Sequence, residues 1–179
     1  MINSIIIVGG GTAGWMTAAT LIKWFPDKKI SLIESPHIKT IGVGESTLGH
    51  IRGWQSLIDI KDKDFMAACD ATYKLSIKFT DFYKKGEAFH YPFGAPHREG
   101  NIAELNDWWF KKFLYPSTPY SDYATSNYPQ MALVNENKCF FNTKKTIPFD
   151  FNKDTAFQFD ATKFGLWLRD NICIPGGLQ

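Results

Sequence analysis

The chain has 179 residues, with 20 Lys and Arg against 18 Asp and Glu, for a formal net charge of +2. So even a balance provides no electrostatic case for a nucleic-acid partner or an anionic membrane, and no apolar run approaches the length of a bilayer span. Cys69, Cys139 and Cys173 are odd in number and widely spaced, with no C-x-x-C, so neither a disulfide framework nor a zinc site is implied. Met1 leads directly into the first predicted strand, without a basic leader or cleavage site, and a soluble protein of the reducing cytoplasm is expected. Fifteen Phe, seven Tyr and six Trp suit a pocket for a flat ligand, although an aromatic core is the simpler use for them.

The first predicted element is a buried strand over Ile5–Val8, set against the turn Gly9-Gly10-Gly11-Thr12-Ala13-Gly14. Gly9, Gly11 and Gly14 fit G-x-G-x-x-G. The first permits the tight turn, the second lets a pyrophosphate approach the backbone, and the third lets helix and strand pack closely. Thr12 to Phe25 follows as an amphipathic helix ended by Pro26-Asp27, and its N-terminus offers unpaired N–H groups to phosphate. Lys28 to Glu34 is a second strand finishing in an acid, placed where a carboxylate accepts hydrogen bonds from a ribose. Strand, turn, helix, strand and acid stand in register for binding a dinucleotide.

Pro36, Gly42 and Gly44 make residues 35 to 47 a loop or extended strap, with Ser46 or Thr47 as the cap of a helix running to about Ile58. Asp62 to Ala71 has helical spacing of Phe65, Met66 and Cys69. Lys74 to Tyr83 alternates, with Leu75, Ile77 and Phe79 on one side and Lys74, Ser76, Lys78 and Thr80 on the other, as in a half-buried strand, and by itself Lys78 reads as a solvated strand lysine. Glu87 to Pro96 and Asn106 to Tyr120 are aromatic and proline-bearing. His90 and His97 lack metal-ligand spacing, so no metal site is expected. Asp160 is a good N-cap for a final helix from Ala161 to about Asn171. Beyond Ile33 almost no β-branched apolar run is followed by a crossover helix. The expected fold class is therefore α/β, with an N-terminal βαβ unit, an aromatic-rich insertion and a parallel sheet left incomplete in this chain.

Four blocks carry a resemblance to the N-terminal part of the flavin-dependent tryptophan halogenases, relatives of the FAD monooxygenases. They are Gly9-Gly10-Gly11-Thr12-Ala13-Gly14-Trp15-Met16, Ile41-Gly42-Val43-Gly44-Glu45-Ser46-Thr47, Lys74-Leu75-Ser76-Ile77-Lys78-Phe79 and Phe157-Gln158-Phe159-Asp160-Ala161. In the last, Gln158 stands where the family has histidine. Family members are far longer, their Trp-x-Trp-x-Ile-Pro motif is absent here, and Phe89 to Leu133 is not close to the tryptophan-specific members.

The resemblance implies a Rossmann-like, monooxygenase-type FAD fold in a single halogenase domain. Its parts would be a dinucleotide-binding βαβ unit over 1–34, a strap and lysine-bearing segment over 35–80, and an aromatic-rich substrate side over 81–179. It implies FAD contacts at Gly9, Gly11, Thr12, Ala13, Gly14 and Glu34, and a strap, Gly42, Val43, Gly44, Glu45 and Ser46, between flavin and halide. Reduced FAD from a separate flavin reductase, O2 and chloride or bromide would yield hypohalous acid. That acid would travel through a tunnel to Lys78, the catalytic lysine, which directs the halogen onto a small electron-rich aromatic such as an indole. Burial among Ile77 and Phe79 would lower the ammonium pKa of Lys78. The rest of the enzyme would come as a continuation or a second chain, and 179 residues alone would be inactive. Two other readings stay open: an FAD monooxygenase or oxidoreductase fragment in which Lys78 is structural, and a truncated product that only binds a partner.

Overall fold

A computed structural model describes residues 2–38, 42–97, 104–139 and 149–179, with Glu104 and Leu105 as backbone alone. The chain divides into one unit of residues 1–72 with 157–179, and another of residues 73–156.

The first unit begins with β1 (Ser4–Val8), α1 (Thr12–Trp24) and β2 (Lys29–Ile33). The strands pair in parallel from Ser4 opposite Lys29 to Val8 opposite Ile33, so the expected βαβ unit is present. Ile30 of β2 and Trp15, Ala18 and Ala19 of α1 are buried, whereas Ile6 and Val8 are 63% and 83% exposed. The strap forms a short strand, β3 (Gly44–Ser46). Ile41, the first residue of the strap block, lies outside the described residues.

Helix α2 spans His50–Ile58, and neither Ser46 nor Thr47 caps it. Thr47 is committed elsewhere. Its N–H donates to the Phe157 carbonyl at 2.9 Å, and its Oγ1 accepts from the Phe157 N–H at 2.9 Å. Because Thr47 continues the line of β3, its polar groups are satisfied along the pairing and not at a helix end. The expected helix over 62 to 71 shrinks to α3 (Asp62–Phe65). The chain then turns until Asp70, at φ 50°, reverses it and the Ala71 N–H bonds the Met66 carbonyl. Strand β4 (Thr72–Lys74) carries the chain out of this unit.

In the second unit the predicted 74–83 strand is interrupted at Leu75. Its main part is β5 (Ser76–Thr80), ended by Asp81 at φ 55°, whose carboxylate accepts the Gly86 N–H. Strand β6 (Ala88–Pro92) returns antiparallel and places Lys78 opposite His90 and Phe79 opposite Phe89. Three helices follow, α4 (Glu104–Leu114), α5 (Ser121–Asn127) and α6 (Met131–Asn135). Buried Gln130 donates to the Phe93 carbonyl at 2.5 Å and so ties the start of α6 to the chain leaving β6.

Strand β7 (Ala156–Asp160) brings the chain back to β3, antiparallel, with Gly44 opposite Asp160 and Ser46 opposite Gln158. Helix α7 (Ala161–Leu168) follows without a break and continues as a π-helical turn over Arg169–Cys173. Packing there is aromatic. Phe65 meets Phe157, Phe159, Phe164 and Trp167 with centroids 5.2 to 6.4 Å apart. The Arg52 guanidinium lies 4.2 Å from the Phe157 ring centre and pairs with Asp62 at 2.5 Å, so its buried charge is balanced on both sides.

Asp160 caps α7 as expected, its Oδ1 accepting the Lys163 N–H at 2.9 Å. Asp160→Ala is expected to cost about 1 kcal/mol. Asp160→Asn keeps an acceptor at the same place and should cost far less. The two urea midpoints, at a common slope, check this.

Candidate functional site

Between β1, α1 and the chain following β2 lies a cleft of about 740 Å³, lined by Val8, Gly9, Gly10, Gly11, Thr12, Ala13, Ile33, Glu34, Ser35, Ile38 and Glu45. Its floor is the glycine turn, and each glycine has a distinct reason to lack a side chain. Gly9 adopts φ 117°, a left-handed conformation, while its N–H donates to the Ile33 carbonyl at 2.8 Å. A Cβ at Gly14 would overlap the Gly9 carbonyl oxygen, so the helix approaches the turn more closely than any other residue permits. A Cβ at Gly11 would meet nothing within 4 Å. Gly11 is the N-cap of α1, no side chain caps the helix, and its first turn holds no acid. The N-terminal N–H groups and the positive end of the helix dipole are thus left for an anion. The Glu34 carboxylate lies against Gly10, whose added Cβ would come 2.7 Å from the Glu34 Cβ. An open backbone floor, a helix N-terminus and a carboxylate fit the phosphates and ribose of a dinucleotide.

The strap is divided in its placement. Glu45 lines this cleft, and Gly42, Val43, Gly44 and Ser46 do not. Gly42 is pressed against Thr162, where a Cβ would overlap its Oγ1, and the Val43 carbonyl accepts the Ala161 N–H at 3.3 Å. Gly44 and Ser46 are paired with β7.

Lys78 is exposed on β5, as the alternation of residues 74 to 83 predicts for a solvated strand lysine, and the burial among Ile77 and Phe79 that the resemblance implied is not found. Those two side chains point to the other face of the strand, by its period of two, and cannot cover the ammonium. The half-buried lysine is Lys74. It sits 5.3 Å from the Phe93 ring centre, and burial lowers its pKa.

On the second unit's sheet, His90 Nδ1 lies 2.7 Å from the Oγ of Ser76, which is two residues before Lys78. Burial holds the His90 imidazole below its ordinary pKa of 6.5, and the Lys78 charge adds to the effect. His90 also lines a second pocket of about 460 Å³, together with Phe82, Tyr83, Phe89, Trp108, Trp109, Tyr120, Tyr123 and Ala124.

A tryptophan halogenase family profile matches residues 4–176. The chain belongs to the tryptophan halogenase family. It is 43% identical over 110 residues to the tryptophan 6-halogenase SttH of Streptomyces toxytricini, an overlap of 61% of this chain and 21% of that protein. With the tryptophan 6-halogenase ThaL of Streptomyces albogriseolus it shares 32% identity over 187 residues, 94% of this chain and 34% of the relative. Among solved structures, apo VirX1 superposes with a TM-score of 0.87 at 42% identity, covering 100% of this chain and 35% of that one. Xcc4156, a flavin-dependent halogenase from Xanthomonas campestris, gives 0.80 at 28% identity, covering 100% and 34%. The mixed α/β fold is thus that of flavin-dependent halogenases. This halogenase-family chain spans about a third or less of the length of these relatives.

Sequence reasoning missed Val8, Gly10, Ile33, Ser35 and Ile38 in the first cleft. Their signal was adjacency, since each borders the glycine turn or follows β2. The pairing of Ser76 with His90 had no such signal, because a hairpin register created it.

At the turn, Gly14→Ala gains helix propensity of about 1 kcal/mol. Overlap with backbone outweighs that gain, and a net loss of about 1–3 kcal/mol is expected. Gly11→Ala, with space around it, should leave stability nearly unchanged. Urea unfolding of the pair tests the assignment of the two roles.

His90 gives a pH prediction. Folding disfavours its imidazolium, so below 6.5 the unfolded chain binds more protons than the folded one. Its contribution to stability is complete above that value and declines as pH falls through it toward the folded pKa. Proton NMR of the ring should show a midpoint below 6.5, moved only part of the way back by Lys78→Gln, because burial is the larger cause.

Proposed function

We propose that this chain is the N-terminal portion of a longer or two-chain enzyme that halogenates an electron-rich aromatic. The glycine cradle carries the proposal: a left-handed Gly9, an open Gly11 and a Gly14 closed onto Gly9 form a backbone floor that fits a pyrophosphate. In this reading 1–34 is a Rossmann-like dinucleotide unit, 35–80 the strap and lysine segment, and 81–179 the substrate side. Gly9, Gly11, Thr12, Ala13 and Gly14 hold the ADP part of FAD, and Glu34 accepts hydrogen bonds from its ribose hydroxyls. Gly42 to Ser46 shape the strap beside it. Reduced FAD, renewed by a separate flavin reductase, supplies with O2 the two-electron oxidation of chloride or bromide to hypohalous acid.

The residues of this chain then have separate tasks. The cradle holds the cofactor through backbone groups, which cannot be oxidised as a thiol or an indole would be. Lys78 receives the hypohalous acid, as a haloamine or through a hydrogen bond, and presents the halogen to the aromatic carbon that binding orientation selects. Support for the larger assembly comes from β1. Parallel strands are ordinarily covered on both faces, and here Ile6 and Val8 are exposed. The exposure of Lys78 favours one competing reading, an FAD monooxygenase in which that lysine is structural. Dependence of the product on halide separates the two.

In the complete enzyme, Gly11→Val should weaken FAD binding at least tenfold by flavin fluorescence titration, with urea stability retained. Lys78→Ala should abolish halogenated product by mass spectrometry while reduced FAD is still consumed by O2, and Lys74→Ala should do less. Product from the Lys78→Ala enzyme would refute the lysine assignment. The 179-residue chain by itself is expected to form none.

A further inference from the structure

We propose that His90 is a specificity-determining residue that selects phenol-type aromatics by accepting their hydroxyl proton in a hydrogen bond. For its bearing on substrate choice the inference rests on the halogenase reading. The binding itself stands on the geometry of the second unit.

The pocket over His90 is walled by the rings of Phe82, Phe89, Trp108, Trp109 and Tyr120, a lining suited to a flat ring. Its volume of about 460 Å³ is that of a small-molecule site. The Tyr83 and Tyr120 rings meet edge to face at 5.3 Å, and those of Tyr123 and Tyr128 at 6.2 Å. The Trp108 Nε1–H donates to Asp122 at 3.1 Å, and that carboxylate is also held by Lys111 at 2.6 Å. His90 differs. Its Nδ1 is bound by Ser76, and among the described residues its Nε2 has no hydrogen-bond partner.

In the tautomer that donates Nδ1–H to the Ser76 Oγ, the one this proposal takes, the neutral ring keeps a lone pair on Nε2. Burial and the neighbouring Lys78 both keep the ring neutral, so the acceptor persists at neutral pH. A phenol O–H that donates to Nε2 is held by its edge while its ring stacks on the pocket walls. The hydroxyl's bond to nitrogen moves electron density toward the ring, which is the property electrophilic halogenation requires. Among the described residues no carboxylate lines the pocket, so a ligand without a cationic group fits it better than one that has one.

The test is calorimetric titration of the purified chain with 4-methylphenol and with 4-methylanisole, which keeps ring and oxygen and lacks the donor. The phenol should bind about fivefold tighter, the worth of one neutral hydrogen bond. His90→Phe should erase that preference, and 4-methylanisole still bound by the variant shows that the pocket persists. Ser76→Ala, which frees the ring to turn, should reduce the preference in part. Equal binding of the two ligands by the wild-type chain, or a preference that survives in His90→Phe, overturns the proposal. Loss of 4-methylanisole binding in His90→Phe passes the decision to Ser76→Ala, where an undiminished preference overturns it as well. If the preference is confirmed and the complete enzyme makes no halogenated product, the halogenase reading fails and the role of His90 stands.

Discussion

The contact that the first unit depends on is the approach of α1 to the glycine turn, with Gly14 resting on the carbonyl of Gly9. It is possible only because neither residue has a side chain in the way, and it sets the N-terminus of α1 at the mouth of the cleft. Other packing follows from the position of that helix. Thr12 Oγ1 donates to the Ala161 carbonyl at 3.1 Å, and Gly165 lies against Trp15, 3.3 Å from a Cβ it does not have to the ring's Cδ1. Helix α7 is thereby held along α1, and the π-helical turn after it buries Cys173 against the Trp15 carbonyl at 3.7 Å. Burial pushes the Cys173 thiol up to about 11, so this cysteine acts as a packing group and not as a nucleophile.

Aromatic side chains serve two different ends in the two units. Around Phe65 they are inside: Phe65, Phe157 and Phe164 are each at most 1% exposed, and the rings meet edge to face. There the blander expectation from composition, an aromatic core, is right. In the second unit Phe82, Trp109 and Tyr83 are more than half exposed and wall a pocket. An aromatic residue with a covered back and an open face is a surface for another ring, whereas one enclosed on both faces is structure. The same composition thus supports a core in one unit and a ligand surface in the other.

Polar chemistry is distributed unevenly as well. In the first cleft it belongs chiefly to the backbone, the N–H groups at the start of α1, with Thr12, Glu34, Ser35 and Glu45 as side-chain polar groups. A site built on backbone tolerates few substitutions at its glycines and many elsewhere. In the second unit the chemistry belongs to side chains on one face of a hairpin, Ser76, Lys78 and His90, and a single substitution there changes it.

The βαβ unit and its glycine cradle were legible in the sequence because every determinant is local. A turn glycine, a 3.6-residue apolar period and a terminal acid are satisfied within 34 consecutive residues, and their geometry follows from backbone sterics. The cap at Asp160 was legible for the same reason. What the tertiary structure alone decided involves partners far apart in the chain. Ser46 or Thr47 reads as a helix cap, yet Thr47 bonds Phe157, which is 110 residues away. Alternation puts Lys78 on the solvated side of its strand, where it is exposed, whereas the half-burial of Lys74 depends on a ring, Phe93, that lies outside its strand. The Ser76–His90 pair exists because a hairpin register set one residue diagonally across from the other. Local rules govern backbone shape, and the choice of partner is a long-range packing outcome that no window of sequence contains.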